Sequence, residues 1–178
     1  MLSIRNDYIS SLPMKGSKKN IIVDKMPINF RYICFILSAF PEAKIIHMNR
    51  DPMATCWSIY KYTFKGNAYS FDQKDIAAYY HLYKDLMDFW NKLFPGIIYD
   101  LYYENLTTNQ EKETRKLLDY CDLEWDENCL NFHKNNSAVK TTSSMQVRKK
   151  MYQGSSEAWK QYEDYLQPLI KGLVTNKQ

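Results

Sequence analysis

The sequence lacks any long apolar run. No stretch of the 178 residues approaches the roughly 20 apolar residues that a bilayer-crossing helix needs. The N-terminus also lacks the continuous apolar core of a signal peptide. The sequence therefore predicts no membrane span. We expect a cytoplasmic protein, or a lumenal or membrane-associated one if an upstream segment is missing.

Paired cysteine motifs are absent as well. None of the 4 cysteines belongs to a CxxC pair or to a His/Cys cluster with metal-ligand spacing. We therefore expect no metal site. Cys34 and Cys56 lie in apolar runs, where cysteine behaves as a small hydrophobic residue. Cys121 and Cys129 flank one short loop and are expected as free thiols, although an oxidising compartment would allow a disulfide.

Neither sign of charge dominates. The 24 Lys and Arg against 20 Asp and Glu leave a net charge of +4, too small and too mixed to predict a nucleic-acid partner but suited to a small polyanionic ligand. Apolar residues make up 45% and aromatic residues 15%, with 15 tyrosines, which is typical of a packed globular protein. This length predicts one domain over residues 1–178, with residues 1–19 loosely attached.

Short apolar runs alternate with helical patterns along the chain. Strands are predicted at residues 21–23, 44–48 and 97–103. Helices are predicted at 29–40, from 51–52 toward 64, and at 75–93, 109–120 and 156–173. The first strand, first helix and second strand should form a parallel crossover unit. The alternation predicts an α/β fold with a parallel sheet flanked by helices, and the long loop at 134–150 should have a functional use.

The second predicted strand ends at an arginine. Arg50 leaves the carboxyl end of that strand, where open parallel sheets bind ligands, and Ser58 follows eight residues later in the next helix. Eight residues are about two helical turns, so the hydroxyl can return to the same face. A guanidinium with a hydroxyl suits a phosphate. The alternative is that Arg50 pairs with Asp51 or a neighbouring carboxylate and that Ser58 faces solvent.

Five further sequence blocks fall in order around Arg50. They are Asp24-Lys25-Met26-Pro27-x-Asn29, Phe40-Pro41-x-Ala43-Lys44-Ile45-Ile46-His47, Tyr103-Glu104-Asn105-Leu106, Leu123-x-Trp125-Asp126-x-x-Cys129-Leu130-x-Phe132-His133 and Thr141-x-Ser143-x-x-Gln146-Val147-Arg148. Over residues 20–173 the chain resembles the sulfotransferase superfamily, most closely the tyrosylprotein and TPR-linked sulfotransferases. The resemblance implies a parallel sheet like that of the P-loop NTPases. It also implies 3′-phosphoadenosine 5′-phosphosulfate (PAPS) as sulfuryl donor, with no metal.

The resemblance assigns the cofactor-binding residues. Arg50 and Ser58 match the ligands of the 3′-phosphate, and Tyr103 matches a residue that touches the adenine. Arg148 and Lys149 match a basic pair that closes over the 3′-phosphate from a late loop. Without the family motif, Tyr103 would be an ordinary core tyrosine and the basic pair a solvated surface.

Two residues are predicted to take part in catalysis. Lys25 matches a lysine placed near the transferring sulfuryl group, where an ammonium would stabilise charge on the bridging oxygen; the alternative is a surface lysine paired with Asp24. Ser155, with Ser156 adjacent, is expected to point into the site. His47, His81 and His133 show no catalytic partner in the sequence and are expected to be structural.

The loop that holds the 5′-phosphosulfate in family members has no counterpart here. Relatives begin with a strand and a PRSGT-like loop, whereas Lys15-Gly16-Ser17-Lys18-Lys19 offers charge without a preceding strand. We therefore expect a fold without its first strand and phosphate loop, in a fragment or truncated product. The predicted reaction is sulfuryl transfer to a hydroxyl acceptor on a peptide, carbohydrate or small molecule, protein tyrosine being one.

Two functions other than sulfuryl transfer are alternatives. The first is a non-catalytic remnant or fragment that binds adenosine 3′,5′-bisphosphate or a partner chain. The second is a nucleotide kinase, which would need a GxxxxGK[ST] loop that the sequence does not contain.

Overall fold

The architecture comes from a computed structural model that describes residues 2–12, 21–62, 67–134 and 148–175. The α-helices are α1 (Leu2–Ser11), α2 (Ile33–Ala39), α3 (Pro52–Lys61), α4 (Gln73–Leu93), α5 (Tyr103–Thr108), α6 (Gln110–Tyr120) and α7 (Gln167–Thr175). The strands are β1 (Ile45–Asn49) and β2 (Ile98–Tyr102). Short 3-10 segments occur at Pro27–Tyr32, Ala68–Phe71, Glu127–Cys129, Phe132–Lys134 and Ala158–Leu166. Within these ranges no helix combines the length and apolarity that a membrane crossing requires.

The sheet in the described part of the chain consists of two parallel strands. Ile45 of β1 lies opposite Ile98 of β2, and the register runs through to Asn49 opposite Tyr102. The predicted α/β class is confirmed at this level, and so are the strands predicted at 44–48 and 97–103. Because parallel strands present their carboxyl ends at one edge, Arg50 and Tyr103 leave the sheet side by side.

The strand predicted at residues 21–23 is wrong. Ile21, Ile22 and Val23 run as an irregular segment, and the Val23 side chain is 85% exposed. A strand needs a neighbour for its backbone N–H and C=O groups, and no described strand pairs with this segment. The predicted crossover unit that began with it is therefore wrong too. The parallel connection observed runs from β1 through α3 and α4 to β2.

Two predicted helices are each divided in the structure. The first begins as the 3-10 segment Pro27–Tyr32 and becomes α2 after Tyr32, which has non-helical angles of φ −120° and ψ 14°. The last is a 3-10 segment that contains a non-helical residue, Tyr162, at φ −120° and ψ 16°, and then becomes α7. Apolar periodicity correctly predicted both stretches as helical, but it does not distinguish a 3-10 segment from an α-helix.

Helix α3 starts where predicted, and α4 starts at Gln73, two residues before the predicted start at 75. Pro52 occupies the first turn of α3, and the Asp51 carboxylate accepts a hydrogen bond of 2.7 Å from the Ala54 N–H. The Asp72 side chain caps α4 in the same way. Helix α3 ends at Lys61, because Tyr62 has extended angles of φ −108° and ψ 124°, so the helix does not continue toward Phe64 as predicted. Phe64 itself lies outside the described residues.

Helix α4 joins two apolar cores. One core lies between α3, α4 and the C-terminal helical segments and contains Cys56, Ile76, Ala77, Leu166 and Leu169. The other lies between α2, α4 and β2 and contains Ile33, Met87, Trp90 and Ile98. Burial raises the pKa of the Cys56 thiol to about 12, with a smaller effect from the Asp51 charge, so this cysteine is an unreactive core residue.

Helix α1 packs against the end of α2. Arg5 forms an ion pair with Glu42 and donates to the Ala39 carbonyl at 3.1 Å. The Tyr8 hydroxyl donates to the Asp24 carboxylate at 2.7 Å. The single-domain organisation predicted for residues 1–178 stays a prediction.

The close approach of α4 and α7 leads to a test of the core. A Cβ atom on Gly172 would lie 2.7 Å from the Cβ of buried Ala77, a separation that carbon atoms do not tolerate. In an open helix Gly→Ala stabilises by about 1 kcal/mol, but here we expect Gly172→Ala to lower the free energy of unfolding by about 1–3 kcal/mol through overpacking. Urea denaturation of the variant and the unaltered chain measures this change in the free energy of unfolding. The double variant Ala77→Gly/Gly172→Ala should recover part of the loss, and a fully stable Gly172→Ala would contradict the packing.

Candidate anion-binding site

Arg50 is the centre of the candidate site. It follows β1 directly, is half-buried, and reaches across to the turn at Ser155 and Ser156. One terminal nitrogen donates to the Ser155 carbonyl at 2.9 Å and to the Ser155 hydroxyl at 3.2 Å, and Nε donates to the Ser156 hydroxyl at 3.3 Å. Residues more than a hundred positions apart are thus brought to the carboxyl edge of the sheet.

Tyr103 forms the second wall of the site. It is the first residue of α5, one position beyond the end of β2. The Arg50 guanidinium lies over its ring, 4.8 Å from the centroid, in cation–π geometry. Its hydroxyl shares a 2.8 Å hydrogen bond with the Ser155 hydroxyl. Tyr103 is therefore a half-buried residue of the site and no ordinary core tyrosine.

Glu104 links the same turn to the start of α3. Its Oε1 accepts hydrogen bonds from the Ser156 hydroxyl at 2.5 Å and from the Asp51 N–H at 3.1 Å. Burial by itself raises the pKa of Glu104. The hydrogen bonds from Ser156 and from the backbone N–H groups of Asp51 and Glu104, together with the Arg50 charge, outweigh burial and lower that pKa. The ionised carboxylate therefore stabilises the fold above its ordinary pKa, and this contribution is lost as the pH falls through the lowered pKa.

Arg50 has no ion pair among the described residues. The alternative in which Arg50 pairs with Asp51 is not observed, because the Asp51 carboxylate caps α3 instead. The Arg50 partners are instead a carbonyl, two hydroxyls and an aromatic ring. In the described part of the chain the guanidinium thus forms no ion pair, although its charge acts on the nearby Glu104 carboxylate, and an unpaired guanidinium suits an anion.

Lys25 and Arg50 line one cavity. The cavity has a volume of about 520 Å³ and lies between the segment around Asp24–Phe30, β1 and the tyrosine-rich face of α4. Lys25 is exposed, and Asp24 accepts hydrogen bonds from Tyr8 and Asn29. The alternative of a Lys25–Asp24 ion pair is therefore not observed among the described residues. Ser155, predicted with Lys25 as catalytic, does not line this cavity and contacts Arg50 instead.

The other predicted phosphate ligands are Ser58, Arg148 and Lys149. Ser58 is half-buried on α3, and its hydroxyl has no hydrogen-bond partner within the described residues. Arg148 and Lys149 are exposed at the start of the stretch that leads to Ser155. Their closing over a phosphate stays a prediction. Three residues of the same block, Thr141, Ser143 and Gln146, lie outside the described residues.

A half-buried polar group centred on His47 lies at the cavity, and the sequence did not predict it. His47 Nδ1 lies 2.7 Å from an Asp100 carboxylate oxygen, and its Nε2 meets the Tyr83 hydroxyl. Burial raises the pKa of Tyr83, so this phenol stays protonated. Both ring nitrogens of His47 thus have hydrogen-bond partners, and its purely structural role stays a prediction. The Asp100 partner is not apparent from the sequence, because only the strand register sets the two residues opposite each other.

Glu104 and Ser156 are the site residues that sequence reasoning missed. Glu104 stood beside Tyr103 in a quoted motif without a role, and Ser156 was noted only as a neighbour of Ser155. A carboxylate one residue beyond a predicted strand was the available signal, because strand ends carry ligand-binding residues.

Fold and site together define the class of protein. It is an α/β protein with an arginine and several hydroxyls at the carboxyl edge of a parallel pair of strands, where such folds bind anionic ligands. No group of three or more His, Cys, Asp or Glu side chains in the described ranges is arranged to hold a metal ion.

Comparison with known proteins agrees with this class. The profile of the sulfotransferase family matches residues 2–127, well over half of the chain. The chain belongs to the sulfotransferase family, as its sequence motifs predicted.

Three relatives illustrate the range of the family. An uncharacterized protein of Aquifex aeolicus is 39% identical over 93% of this chain and 22% of its own length. The omega-hydroxy-beta-dihydromenaquinone-9 sulfotransferase Stf3 of Mycobacterium bovis is 30% identical over 60% of this chain and 29% of its own length. Protein-tyrosine sulfotransferase A of Caenorhabditis elegans is 27% identical over 70% of this chain and 35% of its own length. The chain thus spans between 22% and 35% of the length of these relatives.

The Tyr103 hydroxyl allows a direct test of the site geometry. Tyr103→Phe keeps the ring under Arg50 but removes the 2.8 Å hydrogen bond to Ser155. We expect it to lower the free energy of unfolding by about 0.5–1.5 kcal/mol, measured by urea denaturation. The matched control is Tyr102→Phe, because Tyr102 is the preceding residue and its side chain is exposed. Equal effects of the two changes would contradict the assigned contact.

Proposed function

We propose that the chain acts in sulfuryl transfer from PAPS to a hydroxyl acceptor and that Arg50 binds the 3′-phosphate of the donor. The observation that carries this proposal is the Arg50 guanidinium, held at the carboxyl edge of the sheet without an ion pair in the described part of the chain. Family membership supports the reaction class, and the site supports the assignment of its cofactor-binding residues.

The donor set around Arg50 fits a phosphate group. A phosphate oxygen accepts hydrogen bonds, and Arg50 donates through a planar fork of N–H groups that matches phosphate geometry. The Ser155 hydroxyl lies 3.2 Å from Arg50 and can turn its proton toward an anion, whereas the Ser156 hydroxyl donates to Glu104 and accepts from Arg50 Nε at 3.3 Å. Tyr103, next to Arg50, offers an aromatic face suited to an adenine ring. Ser58, Arg148 and Lys149 are proposed as further phosphate ligands.

Lys25 is proposed to act on the transferring group. When bound, PAPS supplies the sulfuryl group and an adenosine bisphosphate leaving group. The Lys25 ammonium is exposed at the cavity that Arg50 also lines, so it can stabilise negative charge that develops on the bridging oxygen. Positioning and charge stabilisation then provide the catalysis. Because Ser155 contacts Arg50, we now propose it as a phosphate-site residue, where the sequence predicted a catalytic one.

The acceptor is proposed to be a hydroxyl group, and a tyrosine of a peptide is one candidate. The names of two relatives refer to a hydroxylated dihydromenaquinone and to protein tyrosine. Both acceptors carry a hydroxyl on or near an apolar body. The cavity beside Lys25 is lined mainly by apolar and tyrosine side chains, with a smaller number of polar and charged ones, and its volume of about 520 Å³ falls within the usual size of ligand pockets.

The 3′-phosphate assignment is tested by calorimetric titration. Adenosine 3′,5′-bisphosphate should bind more tightly than adenosine 5′-monophosphate, and Arg50→Ala should weaken bisphosphate binding by about 1.5–3 kcal/mol, the range for a charge-assisted hydrogen bond. The matched control is Arg115→Ala, which removes an arginine of α6 that pairs with Glu111. Equal bisphosphate affinity for Arg50→Ala and the unaltered chain would refute the site.

Lys25 is tested by separating turnover from binding. Lys25→Ala should leave bisphosphate affinity within about twofold, because the bisphosphate carries no sulfuryl group. It should lower the rate of transfer from PAPS to a tyrosine peptide by about tenfold or more, as expected for the removal of one group that stabilises charge in the transition state. Lys116→Ala, on α6 and paired with Glu113, is the control. A Lys25→Ala variant with full transfer activity would contradict this role. Bisphosphate binding without transfer by the unaltered chain would favour a binding remnant.

A further inference from the structure

One carboxylate joins the three chain segments that form the site. Glu104 follows β2, and its Oε1 accepts from the Asp51 N–H at the start of α3 and from the hydroxyl of Ser156 in the late turn. Ser156 in turn accepts from Arg50 Nε at 3.3 Å. Since a hydroxyl has one proton, its donation to Glu104 leaves the oxygen lone pairs directed to Arg50. Glu104 therefore determines how Ser156 faces the arginine.

A negative charge at this position calls for an explanation. Burial raises the pKa of Glu104, but its hydrogen bonds and the Arg50 charge outweigh burial and lower that pKa, which favours the ionised form. A carboxylate beside a phosphate site repels the ligand. A carboxylate is favourable at this position only if the contacts it makes improve phosphate binding by more than its repulsion weakens it. Here that geometry is the anchoring of the Ser155–Ser156 turn to the edge of the sheet.

We propose that Glu104 is a positioning residue that holds the Ser155–Ser156 turn against Arg50 and thereby sets the affinity of the site for a phosphate. The inference rests on the proposed function for the identity of the ligand. The anchoring of the turn is independent of the proposed function, because it involves only residues of the chain. Glu104 acts by accepting two hydrogen bonds, so the role depends on its oxygen more than on its charge.

Two substitutions separate acceptor from charge. Glu104→Gln keeps a carbonyl oxygen that can accept from Asp51 and Ser156 but removes the charge. Glu104→Ala removes both. If Glu104 works as a positioning acceptor, the Gln variant should bind adenosine 3′,5′-bisphosphate as tightly as the unaltered chain, or a few-fold more tightly at low salt, where repulsion is least screened. The Ala variant should bind about tenfold more weakly, the effect of losing an anchoring hydrogen bond.

The binding experiment uses calorimetry with the bisphosphate and with adenosine 5′-monophosphate on each variant. Glu104→Ala should lose only the part of the binding free energy that the 3′-phosphate adds. Its affinity for the monophosphate should therefore not change. Ser156→Ala should show the same pattern, and combining it with Glu104→Ala should add little, because both changes remove one link. Glu111→Ala on α6, paired with Arg115, is the control. A Gln variant as weak as the Ala variant, or an Ala variant with unchanged affinity, overturns the proposal.

Hydrogen exchange on the unliganded chain tests the anchoring independently of any ligand. The Asp51 amide, which donates to Glu104 at 3.1 Å, and the amides around Ser156 should exchange faster in Glu104→Ala than in the unaltered chain and remain protected in Glu104→Gln. Unchanged exchange in Glu104→Ala overturns the positioning role. If the unaltered chain does not prefer the bisphosphate, the proposed function fails, and this exchange result alone decides the role of Glu104.

Discussion

The parallel pairing of β1 with β2 is the constraint on which the site depends. Asn49 lies opposite Tyr102, so the next residue of each strand, Arg50 and Tyr103, emerges at the same edge. A shift of one position would turn every following side chain to the other face of the sheet. The cation–π contact of Arg50 with Tyr103 and the hydrogen bonds to the late turn all follow from this register.

Helix α4 holds that register in place. It contributes Ile76 and Ala77 to one core and Met87 and Trp90 to the other, so it fixes the strands relative to the C-terminal helices. His47 of β1 adds a polar link, since it meets Tyr83 of α4 and Asp100 of β2. Apolar packing and one satisfied polar group together prevent the strands from sliding. The late turn is then attached to the edge of the sheet, because Glu104 accepts from the Ser156 hydroxyl and the Tyr103 hydroxyl shares a hydrogen bond with Ser155.

Much of the fold could be predicted because its signals are local. The helical spacing of the apolar residues of α4, the Asp51-Pro52 start of α3 and the apolar runs of both strands predicted their elements within a few residues. Residues 21–23 have the same strand-like composition, yet no described strand pairs with them. Composition reports the preference of a segment, whereas a strand exists only with a neighbour to share its hydrogen bonds.

The sequence by itself determined the family and the α/β class, and it predicted Arg50 as the central site residue, because these depend on ordered motifs and on short-range periodicity. Only the tertiary structure decided the partners of Arg50. It placed Ser155 on the guanidinium and away from the Lys25 cavity, and it gave Glu104 its link to Ser156. These contacts join residues separated by 52 to 106 positions. The physical reason is that a hydrogen bond depends on distance and angle in space, which chain folding sets and local spacing does not.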